Sequence, residues 1–281
     1  MRERIARAGR LTAAERTVTD TLTQNYPASG LLSITQLAKE AGVSAPTVAR
    51  TVKKLGFDGF AAFHAALVAE VEARAKNPIE KRARWAHDAP EHHVLNRLTA
   101  QVSHNIAQTL SAVDPAAFDA AKALLADPAR RLHIVGGRIT QSLAQYFFTH
   151  MEVIRPNVAL LSALPATFAH ALVDMGNDTL VVFDIRRYEE SLERLATLAV
   201  ERGAAVILLT DQWGSPVETV ARHTFRARVE IPSAWDSNVA TLVLTEALIA
   251  AVGDADWPGT AQRYDRLETL MDAARIFSRR S

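Results

Sequence analysis

Apolar side chains recur at helical spacing in the first quarter of the chain and gather into short continuous runs in the rest. Ala14, Val18 and Leu22 fall on one helical face, and Thr12 with Glu15 three residues on forms a capping box ahead of them. Pro27 and Gly30 end that helix. Ser33 caps a second, Ile34 to Ala41, which Gly42 closes. Ser44 caps a third, Ala45 to Leu55, with Pro46 in the first turn, where its missing N–H costs nothing. Gly56-Phe57-Asp58-Gly59-Phe60 is a turn, and a fourth helix is expected from Phe60 to about Lys76.

The pattern then changes. Residues 77–112 contain Pro78, Pro90 and a polar stretch from Trp85 to His93, followed by helical spacing from Val94 to Leu110; they read as a linker and a docking helix. Strands are expected at Arg131–Val135, Val158–Leu161, Thr179–Phe183 and Ala205–Leu209, with an edge strand at Arg226–Ile231. Helices are expected at Ala116–Ala126, Gln141–Met151, Ala166–Asp174, Glu189–Glu201, Val217–Ala221 and Asn238–Val252, and Gly203 closes the fourth of these. Continuous apolar strands alternating with amphipathic helices mean a parallel sheet covered on both faces. The fold class is therefore an N-terminal all-α helix-turn-helix domain (1–76) followed by a C-terminal α/β domain with a doubly wound parallel sheet (113–281).

The helix-turn-helix reading rests on residues 36–55. Ala38 is small where two helices cross, Gly42 stands where the turn needs positive φ, and Val48, Val52 and Leu55 share one face. The other face of the third helix then carries Ser44, Thr47, Arg50, Thr51 and Lys54, hydroxyls and cations suited to phosphates and base edges in a major groove. A plain helical hairpin with a solvated basic face is the alternative.

Charge supports the first reading. The whole chain carries 32 basic and 31 acidic residues, but residues 1–76 hold 11 against 7. A small basic domain joined to a larger acidic one points to a polyanion at the N-terminal end. Composition removes other classes: 48% hydrophobic and 22% charged residues suit a soluble globular protein, and with no cysteine there are no disulfides, thiolate metal sites or cysteine nucleophiles. No apolar run reaches membrane-spanning length, and Met1 to Arg10 lacks the apolar stretch of a secretory signal, so a cytoplasmic location is expected.

Gly42-Val43-Ser44, Thr47-Val48-Ala49-Arg50 and above all Leu55-Gly56-Phe57-Asp58-Gly59-Phe60 resemble the N-terminal domain of RpiR-type bacterial transcriptional regulators. The resemblance covers nearly the whole chain. It implies that Ser44, Thr47, Arg50 and Lys54 face DNA, and that the second domain is a sugar-isomerase-type (SIS) effector domain binding a phosphosugar at the carboxyl ends of its strands.

Three loops stand where such a ligand would bind. Gly136-Gly137-Arg138-Ile139-Thr140 resembles the family's Gly-x-Gly-x-Ser loop, with Gly136 and Thr140 matching and Arg138 replacing the second glycine. A tight strand-to-helix turn without ligand is the alternative. Asp184-Ile185-Arg186-Arg187-Tyr188-Glu189 stands where the family commonly has a Ser-x-Ser-Gly-x-Thr phosphate cradle. The hydroxyls are gone; Arg186 and Arg187 either clamp an anion, such as a sugar acid, or Arg186 pairs internally with Asp184 or Glu189. Thr210-Asp211 and Ser215-Pro216 resemble the third family segment, where Ser215 acts chiefly as a helix cap. The family also tends to place the helix after Asp236-Ser237-Asn238 at a dimer interface.

No metal or cofactor is expected. His87, His92 and His93 cluster in the linker, but no carboxylate pattern gives them metal geometry, and a Walker nucleotide loop, a His-Glu-x-x-His and a Gly-x-Ser-x-Gly are absent. The expected partners are a double-stranded DNA operator and an anionic sugar-derived effector, with the chain a homodimer or homotetramer. The rival classes are a sugar-phosphate isomerase, for which Glu189 or His170 would be nominated as base, and a regulator whose SIS domain is only a dimerisation scaffold.

Overall fold

The computed structural model describes residues 4–5, 8–24, 26–75, 93–162 and 165–276. They fall into two compact units divided between Asn77 and Pro78. Most of the expected linker lies outside the described residues, as do Trp85, His87 and His92.

In the first unit α1 is Ala13–Gln24 and a 3-10 turn follows at Ala28–Leu31; α2 is Ile34–Glu40, α3 Ala45–Lys54 and α4 Phe60–Ala75. Local chemistry sets these ends. Thr12 N–H donates to the Glu15 carboxylate at 2.8 Å and Glu15 N–H returns a bond to the Thr12 hydroxyl. Ser33 and Gln36 make the same reciprocal box on α2. Gly42 takes φ 63°, the left-handed turn that joins α2 to α3. Val18, Leu22, Leu37, Ala38, Ala41, Val48, Val52 and Phe63 form one closed core. At about 1.5–3 kcal/mol for each large side chain fully buried, this cluster is what orients α3 on α1 and α2.

In the second unit α5 is Val94–Ala112, α6 Pro115–Ala126, β1 Leu132–Gly136, α7 Gln141–Ile154, β2 Val158–Leu160 and α8 Pro165–Val173. β3 is Thr179–Asp184, α9 Glu190–Glu201, β4 Ala205–Asp211, β5 His223–Ala227, α10 Val239–Ala255 and α11 Trp257–Ala273. The five strands are all parallel, in the order β2-β1-β3-β4-β5. Alternate side chains go to opposite faces. Ile134, Val181, Phe183, Ile207 and Leu209 join α6, α7 and α10 in one core layer; Val135, Leu180, Val182, Val206 and Leu208 join α8 and α9 in the other. Burial on both faces is why these strands read as unbroken apolar runs. Asn105 of α5 donates its side-chain amide to Glu230 O, and Arg228 N–H donates to the Thr109 hydroxyl, so α5 is tied to the chain after β5.

Three expectations need correction. The edge strand is His223–Ala227, not 226–231: Arg226 and Phe225 pair with Thr210 and Leu209, and the chain then leaves the sheet. The helix expected at Val217–Ala221 is one 3-10 turn, Pro216–Thr219, capped by Ser215. The helix α11 was not foreseen, because its apolar residues are thinly spread and none of them is buried in the chain. Among the described residues no helix is long and apolar enough to cross a membrane.

Candidate DNA-binding face and effector site

The exposed side of α3 is narrower than its sequence suggests. Ser44, Arg50, Lys53 and Lys54 are exposed. Thr51 is not on this face: it is fully buried, with its hydroxyl donating to Thr47 O at 2.8 Å. Thr47 is also buried, but its hydroxyl meets that of Ser44 at 2.9 Å and accepts from an Arg50 guanidinium nitrogen at 3.2 Å. Thr47 therefore aims Arg50 rather than facing outward itself. Ser44 sits at the N-cap of α3, yet its hydroxyl bonds Thr47 and caps no backbone N–H. Lys54 is committed to an ion pair with Glu15 of α1 at 2.7 Å. The bond from Lys54, helped by Thr12 N–H, holds the Glu15 carboxyl down at about 2. Lys53, which the motif reading left out, is exposed on the same helix. Its signal was charge alone, which does not say which way a side chain points.

In the second unit the order of strands reverses beside β1, and the loops after β1, β3 and β4 converge there, where open parallel sheets place ligands. The first loop needs its glycine. A Cβ on Gly136 would stand 2.5 Å from Thr140 backbone atoms and 2.6 Å from Gln141 N. Thr140 is buried, donating to Phe183 O at 2.5 Å and accepting from Gly137 N–H at 2.9 Å. Gln141 accepts from Gly136 N–H and donates to Leu161 O, joining the ends of β1 and β2; the motif reading did not single it out. Arg138 is exposed, and its backbone N–H donates to Glu189 Oε1 at 2.6 Å.

The second loop departs from a hydroxyl cradle and is built on carboxylates. Asp184 is buried, with the Ser215 hydroxyl donating to its Oδ2. Burial pushes its carboxyl up to about 6 against the pull of that hydrogen bond. Asp211 is buried at the end of β4 and organises the loops: it accepts from Tyr188 Oη and from Arg186 N–H, each at 2.7 Å, and from Trp213 N–H at 3.0 Å. Burial raises its carboxyl too, with Tyr188 opposing.

The two arginines behave differently. Both hold left-handed backbone, φ 45° at Arg186 and 53° at Arg187. The Arg186 side chain is 9% exposed, its Nε lies 2.9 Å from Asp236 Oδ2, and its guanidinium lies over the Trp213 ring at 4.1 Å. It pairs internally, with Asp236 and, at 3.6 Å, with Glu230. Arg187 is exposed, with no side-chain partner among the described residues. Ser215 caps the following 3-10 turn by accepting Val217 N–H, as expected, while also serving Asp184. His93 accepts Leu95 N–H at the start of α5, and His170 is exposed on α8.

The geometry defines a class: a helix-turn-helix unit followed by a doubly wound, SIS-type sheet. Residues 2–74 match the helix-turn-helix domain of the rpiR family, and residues 125–251 match the SIS domain. The chain thus carries an rpiR-family helix-turn-helix domain followed by a SIS domain, the architecture of a transcriptional regulator. It is 28% identical over 217 residues to the HTH-type transcriptional regulator HexR of Pseudomonas aeruginosa, covering 75% of this chain and 73% of that one. The uncharacterized HTH-type transcriptional regulator YfhH of Escherichia coli is 24% identical over 247 residues, 85% and 86% of the two chains. The sugar isomerase domain of an RpiR transcription factor from Sphaerobacter thermophilus superposes with TM-score 0.58 at 19% identity, over 63% of this chain and 99% of that one. The Vibrio vulnificus NanR protein, solved with ManNAc-6P, superposes with TM-score 0.53 at 17% identity over 94% of each chain. These two structural likenesses show the fold.

Proposed function

We propose that this protein binds a DNA operator through α3 and that an anionic carbohydrate metabolite, a phosphosugar or a sugar acid, changes its operator affinity by binding at the ends of β1, β3 and β4. Ser44, Arg50 and Lys53 are the contacts on the DNA side, with Thr47 orienting Arg50. On the effector side the ligand meets the loop at Gly136 and Arg138, and the exposed guanidinium of Arg187 reaches its anionic group. Thr140, Asp184, Arg186 and Ser215 hold the loops in place.

The observation that carries this reading is the joining of a basic recognition helix and a strand-end loop cluster in one chain, as in relatives named transcriptional regulators. Effector and operator are linked thermodynamically: a metabolite with different affinity for two arrangements shifts DNA affinity by typically about 1–3 kcal/mol. The protein acts as a homodimer or homotetramer in the cytoplasm, because paired half-sites supply the specificity one helix lacks. The exposed Trp257, Tyr264 and Leu270 of α11 support a second copy. No catalytic step is assigned: Glu189 is held by a backbone amide and His170 stands on an exposed helix face.

Selection of bound DNA from a random pool, with and without sugar phosphates and sugar acids, tests the proposal. A paired-half-site sequence whose recovery changes with one metabolite is expected. Recovery of no preferred sequence overturns it.

A further inference from the structure

The loop after β1 already holds an anion, and the chain supplies it. Glu189 Oε1 accepts Arg138 N–H at 2.6 Å. The same oxygen would stand 3.0 Å from a Cβ on Gly137, so the carboxylate lies against the bare glycine backbone. A short N–H to carboxylate bond at a strand-to-helix turn is how such loops hold the oxygens of an anionic ligand. Glu189 is the N-cap of α9, yet its side chain caps none of that helix's N–H groups; it reaches across to the neighbouring loop instead. Resting on the effector site proposed above, we infer that Glu189 is the specificity-determining residue of that site: its carboxylate occupies the seat of the ligand's anionic group, and a phosphate or carboxylate enters only by displacing it.

The charge around the loop agrees. Asp184 and Asp211 lie in the same loop cluster; burial raises both carboxyls, and at Asp184 repulsion from Asp211 and Glu189 adds to it. Arg186, which would offset an incoming anion, is already committed to Asp236. Arg138 and Arg187 are exposed cations on the same two loops. The site therefore discriminates against small anions such as free phosphate. It favours a ligand whose remaining hydroxyls and contacts to those arginines compensate for the expulsion of Glu189.

The test compares the full chain with Glu189→Thr, which frees the seat and leaves a hydroxyl at an N-cap position that favours it, and with Glu189→Gln, which keeps the shape and removes the charge. Inorganic phosphate, glucose 6-phosphate and gluconate are titrated by calorimetry, separating a phosphoryl from a carboxylate group as the displacing anion. Binding of phosphate or glucose 6-phosphate at least 10-fold tighter to Glu189→Thr than to the unaltered chain, with Glu189→Gln between, is expected. A corresponding gain for gluconate extends the rule to carboxylates. Equal affinity of all three proteins for a probe that binds overturns the competition and leaves the effector site standing. If no probe binds any of the three, the effector-site reading falls with it. Retained operator binding by both variants confirms that they fold.

Discussion

Lys54, at the last turn of the recognition helix, is joined to Glu15 of α1 by a 2.7 Å ion pair, so one of the helix's cations is neutralised before DNA arrives. Each phosphate contact by a free cation adds about 0.9 to the salt slope of binding. Arg50→Ala is expected to lower that slope by about 0.9, Lys54→Ala by clearly less, and Glu15→Gln to raise it by freeing Lys54. Fluorescence anisotropy of operator DNA across a salt series measures all three. Equal losses for Arg50→Ala and Lys54→Ala would show that DNA displaces Glu15.

The same pair sets a pH response in the first unit. The Glu15 carboxyl is lowered from 4.5 to about 2, so its stabilisation is present above pH 4.5 and lost as pH falls toward 2. Helical circular dichroism should show acid loss in the unaltered chain beginning at lower pH than in Lys54→Ala.

Asp184 runs the other way. Its carboxyl is raised from 3.8 to about 6, so its contribution is full below pH 3.8 and is lost as pH rises through 6. At about 1.4 kcal/mol per tenfold change in proton affinity, the swing is on the order of 3 kcal/mol. All four tryptophans lie beyond residue 77, so tryptophan fluorescence reports on the second unit alone. Relative to the unaltered chain, Asp184→Asn should gain up to that amount of stability between pH 4 and pH 7.5. A difference that does not vary with pH would contradict the assignment.

Gly136→Ala is expected to destabilise the second unit by about 3 kcal/mol, because the added methyl meets backbone atoms of Thr140 and Gln141 that cannot turn aside. Gly137→Ala should cost less, since only the end of the Glu189 side chain is in the way. Urea unfolding followed by tryptophan emission ranks the two; the reverse order would be inconsistent with this loop geometry.

Arg186 and Arg187 should separate cleanly. Arg186→Ala removes the ion pair with Asp236 and the contact over Trp213, at a cost of about 2 kcal/mol and with a change in Trp213 emission. Arg187→Ala touches no partner among the described residues, so its stability should stay within about 0.5 kcal/mol while the effector response is lost. An intact metabolite response in Arg187→Ala would remove it from the site.

Much of this protein is written locally. Caps at Thr12 and Ser33, the left-handed glycine at 42, and the spacing of Val48, Val52 and Leu55 each act within a few residues, so the helix-turn-helix was legible without a structure. The central strands β1, β3 and β4 were equally plain, because burial on both faces leaves largely apolar runs, whereas the half-buried edge strand β5 was expected three residues too late. What the amino-acid order did not reveal is which partners distant side chains find. Thr51 and Arg50 are neighbours in sequence, yet helical rotation buries one and exposes the other. Arg186 and Arg187 are identical residues, and only the approach of Asp236 and Trp213, from other loops, makes the first structural while the second stays exposed. Glu189 reads as a helix-start acid, and its meeting with Arg138 exists only because β1 and β3 lie side by side. Short-range geometry belongs to the sequence; pairing across the sheet belongs to the fold, which alone brings such groups within hydrogen-bonding distance.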